Sequence, residues 1–134
     1  MKQLIILFAG VILLGTTACR KVTENYYTTP NKTIYVERIA SQWTSSDAGK
    51  TYSTVIPFED SDGFYHEYDG ILVYASFDNG NIYEQIPQTY QGISYSYSTT
   101  INDAVVDLQS ANFDVTVTPP NKVLFKIVLI PSEE

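Results

Sequence analysis

Hydrophobic and polar residues alternate with a period of two along most of the chain after residue 33. In residues 92–99 (GISYSYST), Ile93, Tyr95 and Tyr97 share one face, while serines occupy the other. This period places successive side chains on opposite faces of a strand, so it predicts half-buried antiparallel strands whose tyrosines pack inward. The segments that we predict as strands are 34–39, 51–58, 71–77, 82–86, 92–99, 104–108, 113–117 and 122–130.

Turn-forming sequences separate these segments at fairly regular intervals. They are Ser61-Asp62-Gly63, Asp69-Gly70, Asp78-Asn79-Gly80-Asn81, Gln91-Gly92 and Pro119-Pro120-Asn121. Asp-Gly and Asn-Gly supply the positive φ that hairpin turns need. Seven to eight short strands in one domain predict an all-β fold, a single antiparallel β-sandwich with an immunoglobulin-like layout. A short helix is the alternative to a strand in segment 101–110, because Asn102 or Asp103 could serve as its N-cap.

In the last predicted strand, 122–130, residues 123–130 (VLFKIVLI) are apolar on both faces apart from Lys126. We expect one face to join the core; it carries Val123, Phe125, Ile127 and Leu129. The opposite face carries Leu124, Val128 and Ile130. Because an apolar face exposed to water is costly, this second face needs cover from a loop, from the preceding N-terminal segment or from another molecule.

The N-terminus carries a different pattern, an unbroken apolar run over residues 4–14 that follows Lys2. The run has the length of the apolar part of an export signal and is too short to span the hydrocarbon core of a bilayer. Small residues fill positions 15–18, and Cys19, the only cysteine of the sequence, follows at once. The pattern therefore predicts an exported protein.

Residues 1–19 resemble a bacterial lipoprotein signal, although Thr16 stands where such signals usually have leucine. The resemblance implies that residues 1–18 are removed and that Cys19 is acylated. Several acyl chains on one residue anchor a protein stably to a membrane. Residues 19–32 would then be the lipidated cysteine and a polar tether, and residues 33–134 the β-sandwich domain. With Cys19 used as an anchor, the domain has no disulfide.

The residues after Cys19 bear on the compartment. Arg20 and Lys21 follow it, so the aspartate that retains many lipoproteins in the inner membrane is missing. An acidic cluster like the surface-export signal of Bacteroidota is missing as well. We therefore expect attachment to the outer membrane, with the periplasmic side favoured over the cell surface.

The charge of the chain limits the partners that it can bind. The formal net charge is −7, and no lysine or arginine occurs between Lys50 and Lys122, a span that holds ten acidic residues. Phosphate backbones and anionic lipid headgroups bind through clustered positive charge. We therefore expect no nucleic-acid partner, and membrane contact only through the lipid on Cys19.

The densest acidic stretch, 58–70 (FEDSDGFYHEYDG), is a candidate Ca²⁺ or ligand loop. Its carboxylates are Glu59, Asp60, Asp62, Glu67 and Asp69. Closely spaced hard oxygen ligands on a loop suit Ca²⁺, but the full EF-hand spacing is absent. We expect these residues to be solvated hairpin tips, with the Ca²⁺ or ligand loop as the alternative. We expect no cofactor, with Ca²⁺ as the alternative.

His66, the single histidine, is the one candidate for acid–base chemistry. A catalytic histidine needs a nucleophile and an orienting partner, and a zinc site needs three or four ligands. No Gly-x-Ser-x-Gly sequence is present either. We therefore expect no enzyme, with a small hydrolase built on His66 as the alternative.

Eleven tyrosines and one tryptophan raise the question of carbohydrate binding, because sugar rings stack on exposed aromatic side chains. Most of the tyrosines alternate in phase with isoleucine or valine, which predicts core or cross-strand packing. Tyr65, Tyr68 and Tyr83 lie near predicted loops and are the candidates for exposed aromatic residues.

Residues 71–131 resemble a group of small exported proteins of Bacteroidota that has no established activity. The shared motifs are ILVY in a strand, PQT at a turn, YSY in a strand and a last apolar strand that ends in Ile-Pro. The resemblance implies the compartment and the fold. We expect a lipid-anchored, non-catalytic binding or structural module of the cell envelope, with an envelope protein or a glycan as partner. The sequence does not determine the oligomeric state.

Overall fold

The computed structural model describes residues 30–58, 70–112 and 114–132, and strands dominate this part of the chain. The strands are β1 (Lys32–Ile39), β2 (Thr51–Pro57), β3 (Gly70–Ser76), β4 (Glu84–Gln85), β5 (Gln88–Tyr90), β6 (Ile93–Thr99), β7 (Asp103–Ser110) and β8 (Lys122–Ile130). A single 3₁₀ turn in these residues, Ala40–Gln42, follows β1. Lys32, which we assigned to the tether, is the first residue of β1.

The strands form two antiparallel sheets of four strands each. Sheet A has the order β1-β8-β3-β4, and sheet B has the order β2-β7-β6-β5. The prediction of an all-β antiparallel sandwich with about eight strands is confirmed. The strand order differs from that of an immunoglobulin constant-type sandwich in the position of the last strand. Here β8 lies between β1 and β3, whereas the last strand of the immunoglobulin sandwich lies at a sheet edge.

The core lies between the sheets and follows the predicted alternation. The inner face of β8, from Val123 to Leu129, is buried, and Phe125 has no exposed surface. Ile56 of β2 and Leu108 of β7 are buried in the same cluster from sheet B. Each fully buried side chain of this size stabilises the fold by about 1.5–3 kcal/mol. The tyrosines of β6 also pack inward as predicted, with Tyr95 2% exposed.

The strand predicted at 113–117 is wrong for the residues that the structure describes. Residues 114–117 form a turn and irregular backbone, and Phe113 lies outside the described residues. Val115 is 53% exposed, whereas the N–H of Val117 donates to the carbonyl oxygen of Gly49 over 2.8 Å. Because Pro119 and Pro120 have no N–H group, the segment cannot extend this single bond into a ladder.

Three other segments differ in detail from their predictions. The strand predicted at 82–86 is reduced to the two residues of β4. Residues 101–110 contain β7, so the strand predicted there is confirmed and the alternative of a short helix is wrong. The short edge strand β5 was not predicted; it joins β6 through a two-residue turn in which Gln91 and Gly92 both have positive φ.

Candidate functional site

Most of the candidate residues lie outside the described residues, so their roles stay predictions. They are Cys19, Glu59, Asp60, Asp62, Tyr65, His66, Glu67, Tyr68 and Asp69. Of the candidate aromatic residues, the structure describes Tyr83. It lies in the loop between β3 and β4 and is partly buried.

The middle of the outer face of sheet B carries small polar side chains, and Val55, 53% exposed, lies next to them on β2. Ser53, Asp107 and Ser96 lie side by side in the middle of β2, β7 and β6. The Ser53 hydroxyl donates to a carboxylate oxygen of Asp107. Hydroxyl groups bonded to neighbouring side chains in this way form a flat polar surface.

The outer face of sheet A carries aromatic side chains in the middle of its strands. Tyr35 of β1, Lys126 of β8 and Tyr74 of β3 occupy one row across three neighbouring strands. Tyr83 completes the group, because its ring centroid lies 6.1 Å from that of Tyr35 in an edge-to-face arrangement. We call Tyr35, Tyr74 and Tyr83 the tyrosine cluster. Tyr35 is 66% exposed, so the cluster opens to solvent.

The ammonium group of Lys126 is held among these rings. Its Nζ lies 4.4 Å from the ring centroid of Tyr74 and 5.1 Å from that of Tyr83. The negative face of an aromatic ring attracts a cation at such distances, by about 0.5–2 kcal/mol. The two ion pairs found in the described residues use other lysines, Lys50 with Asp114 and Lys122 with Glu37. Among the described residues, the charge of Lys126 is therefore positioned by rings and not by a carboxylate.

Tyr83 reaches the cluster because the loop 76–83 folds over the outer face of sheet A. Ser76 donates to Asp78 Oδ1 over 2.8 Å, and the same oxygen accepts from the N–H of Ile82 over 2.9 Å. The bond from Ile82 is the main cause that lowers the pKa of Asp78 below its ordinary 3.8. Gly80, with a φ of +90°, lies close to Leu124 and to the Tyr83 hydroxyl. The loop thus provides part of the cover that the outer face of β8 needs.

The same loop occurs a second time, before β2. Ser45 donates to Asp47 Oδ1 over 3.0 Å, and Asp47 Oδ1 accepts from the N–H of Thr51 over 2.8 Å. Both loops follow the sequence Ser-x-Asp-x-Gly, and the serine Oγ accepts from the glycine N–H over 2.9 Å in each. The flanking residues pair at equal spacing, Thr44 with Ser53 and Ala75 with Glu84. Sequence analysis identified the second turn but missed the repeat.

Two clefts flank the loop 76–83. One, of about 150 Å³, lies beside the stacked rings of Phe77 and Tyr90, whose centroids are 4.2 Å apart. The other, of about 320 Å³, is lined by Asn79 and Lys122 among others. Ligand pockets for small molecules usually have about 300–1,000 Å³. The first cleft is below this range and the second is at its lower end, so the open tyrosine cluster is the better candidate site.

Sequence analysis missed Tyr35, Tyr74 and the role of Lys126. The signal was present in the phase of the strands. Tyr35 alternates out of phase with the inward-facing Ile34 and Val36, and Tyr74 is out of phase with the buried Val73 and Ala75. What the sequence does not contain is the pairing of β8 with both β1 and β3, which brings these residues into one row.

Comparison with protein-family models, with curated proteins and with solved structures finds no match to this chain. No helix in the described residues is long and apolar enough to cross a membrane. In the same three ranges, no group of three His, Cys, Asp or Glu side chains could hold a metal ion.

Proposed function

We propose that this protein is a lipid-anchored, non-catalytic binding module of the cell envelope. The observation that carries the proposal is the difference between the two outer faces. Sheet B presents hydrogen-bonded polar side chains, whereas sheet A presents the tyrosine cluster around a lysine that has no acidic partner among the described residues. Exposed aromatic side chains beside a polar group are typical of binding surfaces.

The anchor is tested through Cys19. In bacteria that process lipoproteins, we expect the full-length protein to incorporate labelled palmitate and to partition into the detergent phase of Triton X-114. The variant Cys19→Ser should lose both properties, because the thiol is the acylation site. Cys19→Ser that still partitions with detergent would contradict the anchor. The variant Thr16→Leu is a matched control and should keep both properties.

Among the ligands of a binding module, the tyrosine cluster favours a glycan. The apolar C–H face of a pyranose ring packs on an aromatic face, and tyrosine adds a hydroxyl that can bond to the sugar. The Tyr35 ring is accessible to solvent, and the Tyr74 ring lies beside it in the same row with Lys126 between them. The other expectations stay open: a Ca²⁺-dependent adhesion loop and a hydrolase using His66 both depend on residues outside the described ranges.

Affinity electrophoresis against a panel of neutral and acidic polysaccharides tests the glycan proposal. We expect at least one polysaccharide to retard the wild-type domain. Tyr35→Ala combined with Tyr74→Ala should weaken the binding by at least about tenfold, because truncated aromatic anchors at a binding surface often cost 2 kcal/mol or more. Ser96→Ala on the outer face of sheet B is the matched control and should bind like the wild type. If no polysaccharide in the panel retards the wild type, the glycan proposal is wrong.

A further inference from the structure

Lys126 lies between apolar residues on the outer face of β8, and this position needs an explanation. Its neighbours two positions away on the same face are Leu124 and Val128. Lysine on a strand often serves to keep an exposed sheet edge from pairing. That role does not apply here, because β8 is paired on both sides, with β1 and with β3.

The ammonium group of Lys126 lies against tyrosine rings and, among the described residues, forms no ion pair. Two tyrosine rings hold the ammonium group at 4.4 and 5.1 Å from their centroids. The carboxylate of Glu37 lies on the same face, but it pairs with Lys122 at 3.7 Å. The described residues therefore supply no anion to Lys126. An anion that pairs with Lys126 would come from outside this part of the chain.

The charge of the whole chain limits the kind of anion that can bind. With a net charge of −7, the protein repels a dense polyanion at long range. A ligand with few negative charges avoids most of this repulsion, and its anionic group still gains the short-range bond to Lys126. The ligand must also have an apolar face to pack on the tyrosine rings.

From this combination we infer that the tyrosine cluster and Lys126 bind a glycan that carries an isolated uronic acid, whose pyranose ring packs on tyrosine while its carboxylate bonds to the Lys126 ammonium. A uronic acid carries its carboxylate on the ring itself, so one residue can make both contacts. The inference rests on the proposed glycan binding and names its substrate class.

Isothermal titration calorimetry with paired oligosaccharides tests this inference. The probes are a hyaluronan tetrasaccharide and a xylotetraose-type oligosaccharide with one glucuronic acid, each compared with its carboxyl-reduced, neutral form. We expect at least one acidic probe to bind roughly tenfold or more tightly than its neutral form, since a hydrogen bond to a charged group is the stronger kind. Raising NaCl from about 50 to about 500 mM should weaken only the acidic form.

Variants of Lys126 separate this inference from general glycan binding. Lys126→Gln should abolish the preference for the acidic probe and keep the weaker binding of the neutral one, whereas Lys126→Arg should keep the preference. Thermal unfolding of each variant is recorded, so that loss of binding is scored only for folded protein. Equal binding of acidic and neutral forms overturns the uronic-acid inference and leaves glycan binding intact. Binding of neither form, with neutral polysaccharides still bound in the electrophoretic panel, also overturns the inference alone.

Discussion

Arg38 is a charged residue at a position where the alternation of β1 places an inward-facing side chain. Ile34 and Val36, in the same phase, pack against the core. The guanidinium of Arg38 reaches across to sheet B, where Nε donates to Thr54 Oγ1 over 3.1 Å and Nη2 donates to the carbonyl oxygen of Val55 over 2.8 Å. Partial burial lowers the pKa of Arg38 below its ordinary value. The residue thus connects the two sheets through its hydrogen bonds.

Replacing Arg38 should therefore destabilise the fold. Arg38→Met keeps an apolar stem but removes the donors to Thr54, which is 3% exposed, and to Val55. We expect the free energy of unfolding in urea to fall by about 1–3 kcal/mol, the usual cost of leaving a buried polar group without a partner. Arg38→Lys, which keeps one charged donor group, should lose less. An unchanged unfolding midpoint for Arg38→Met would show that the connection is not stabilising.

At the scale of elements, the repeated Ser-x-Asp-x-Gly loop determines where two hairpins turn. In each copy an aspartate oxygen accepts the N–H of the residue four positions later, and the glycine at the fifth position has positive φ. Glycine adopts this conformation without steric cost. The second copy also places Tyr83 beside Lys126, so the loop is part of the candidate site.

Both loops should weaken in acid. The bond from the Thr51 N–H is the main cause that lowers the pKa of Asp47, and the Ile82 N–H does the same for Asp78. A lowered folded-state pKa gives stability that is present above the ordinary value of 3.8 and is lost as the pH falls through the folded-state value. We expect the urea concentration at the unfolding midpoint to decrease when the pH is lowered below about 4. In the double variant Asp47→Asn, Asp78→Asn, the midpoint should depend less on pH.

The control for the acid experiment is Asp114→Asn, because the side chain of Asp114 is 99% exposed. This variant should follow the wild-type curve from neutral pH into acid. A double variant with the same acid sensitivity as the wild type would contradict the role given to the two loops.

Strands could be predicted from the sequence where alternating hydrophobic and polar residues bury one face of the strand. The bounds of β8 were predicted to the residue, because its apolar pattern is continuous and polar or proline residues flank it. The strand at 113–117 was a wrong prediction because Val115 and Val117 alternate correctly but find no ladder partner. β5 was not predicted, because a strand of three residues is too short to show an alternation of hydrophobic and polar residues. Whether an alternating segment pairs depends on long-range contacts, which one sequence does not display.

At the scale of the whole molecule, the outer face of sheet A carries the tyrosine cluster, and the centre of the outer face of sheet B carries Ser53, Asp107 and Ser96. The candidate site could not be predicted, since its residues come from β1, β3, β8 and the loop 76–83. Each residue could be assigned to the outer side of its own strand. Only the strand order of sheet A turns those separate assignments into one surface.

The central position of β8 has a consequence for how the chain acquires its structure. β1 and β3 each pair with β8 and are not neighbours of each other, and Lys32 pairs with Leu129 near the other end of the described chain. A polypeptide that emerges N-terminus first, from a ribosome or from a translocation channel, cannot complete sheet A before residue 130 has emerged. Contacts of such long sequence separation also slow folding. The strands of sheet B all end by residue 110 and can pair earlier, whereas sheet A and the core between the two sheets form only after the last strand has emerged.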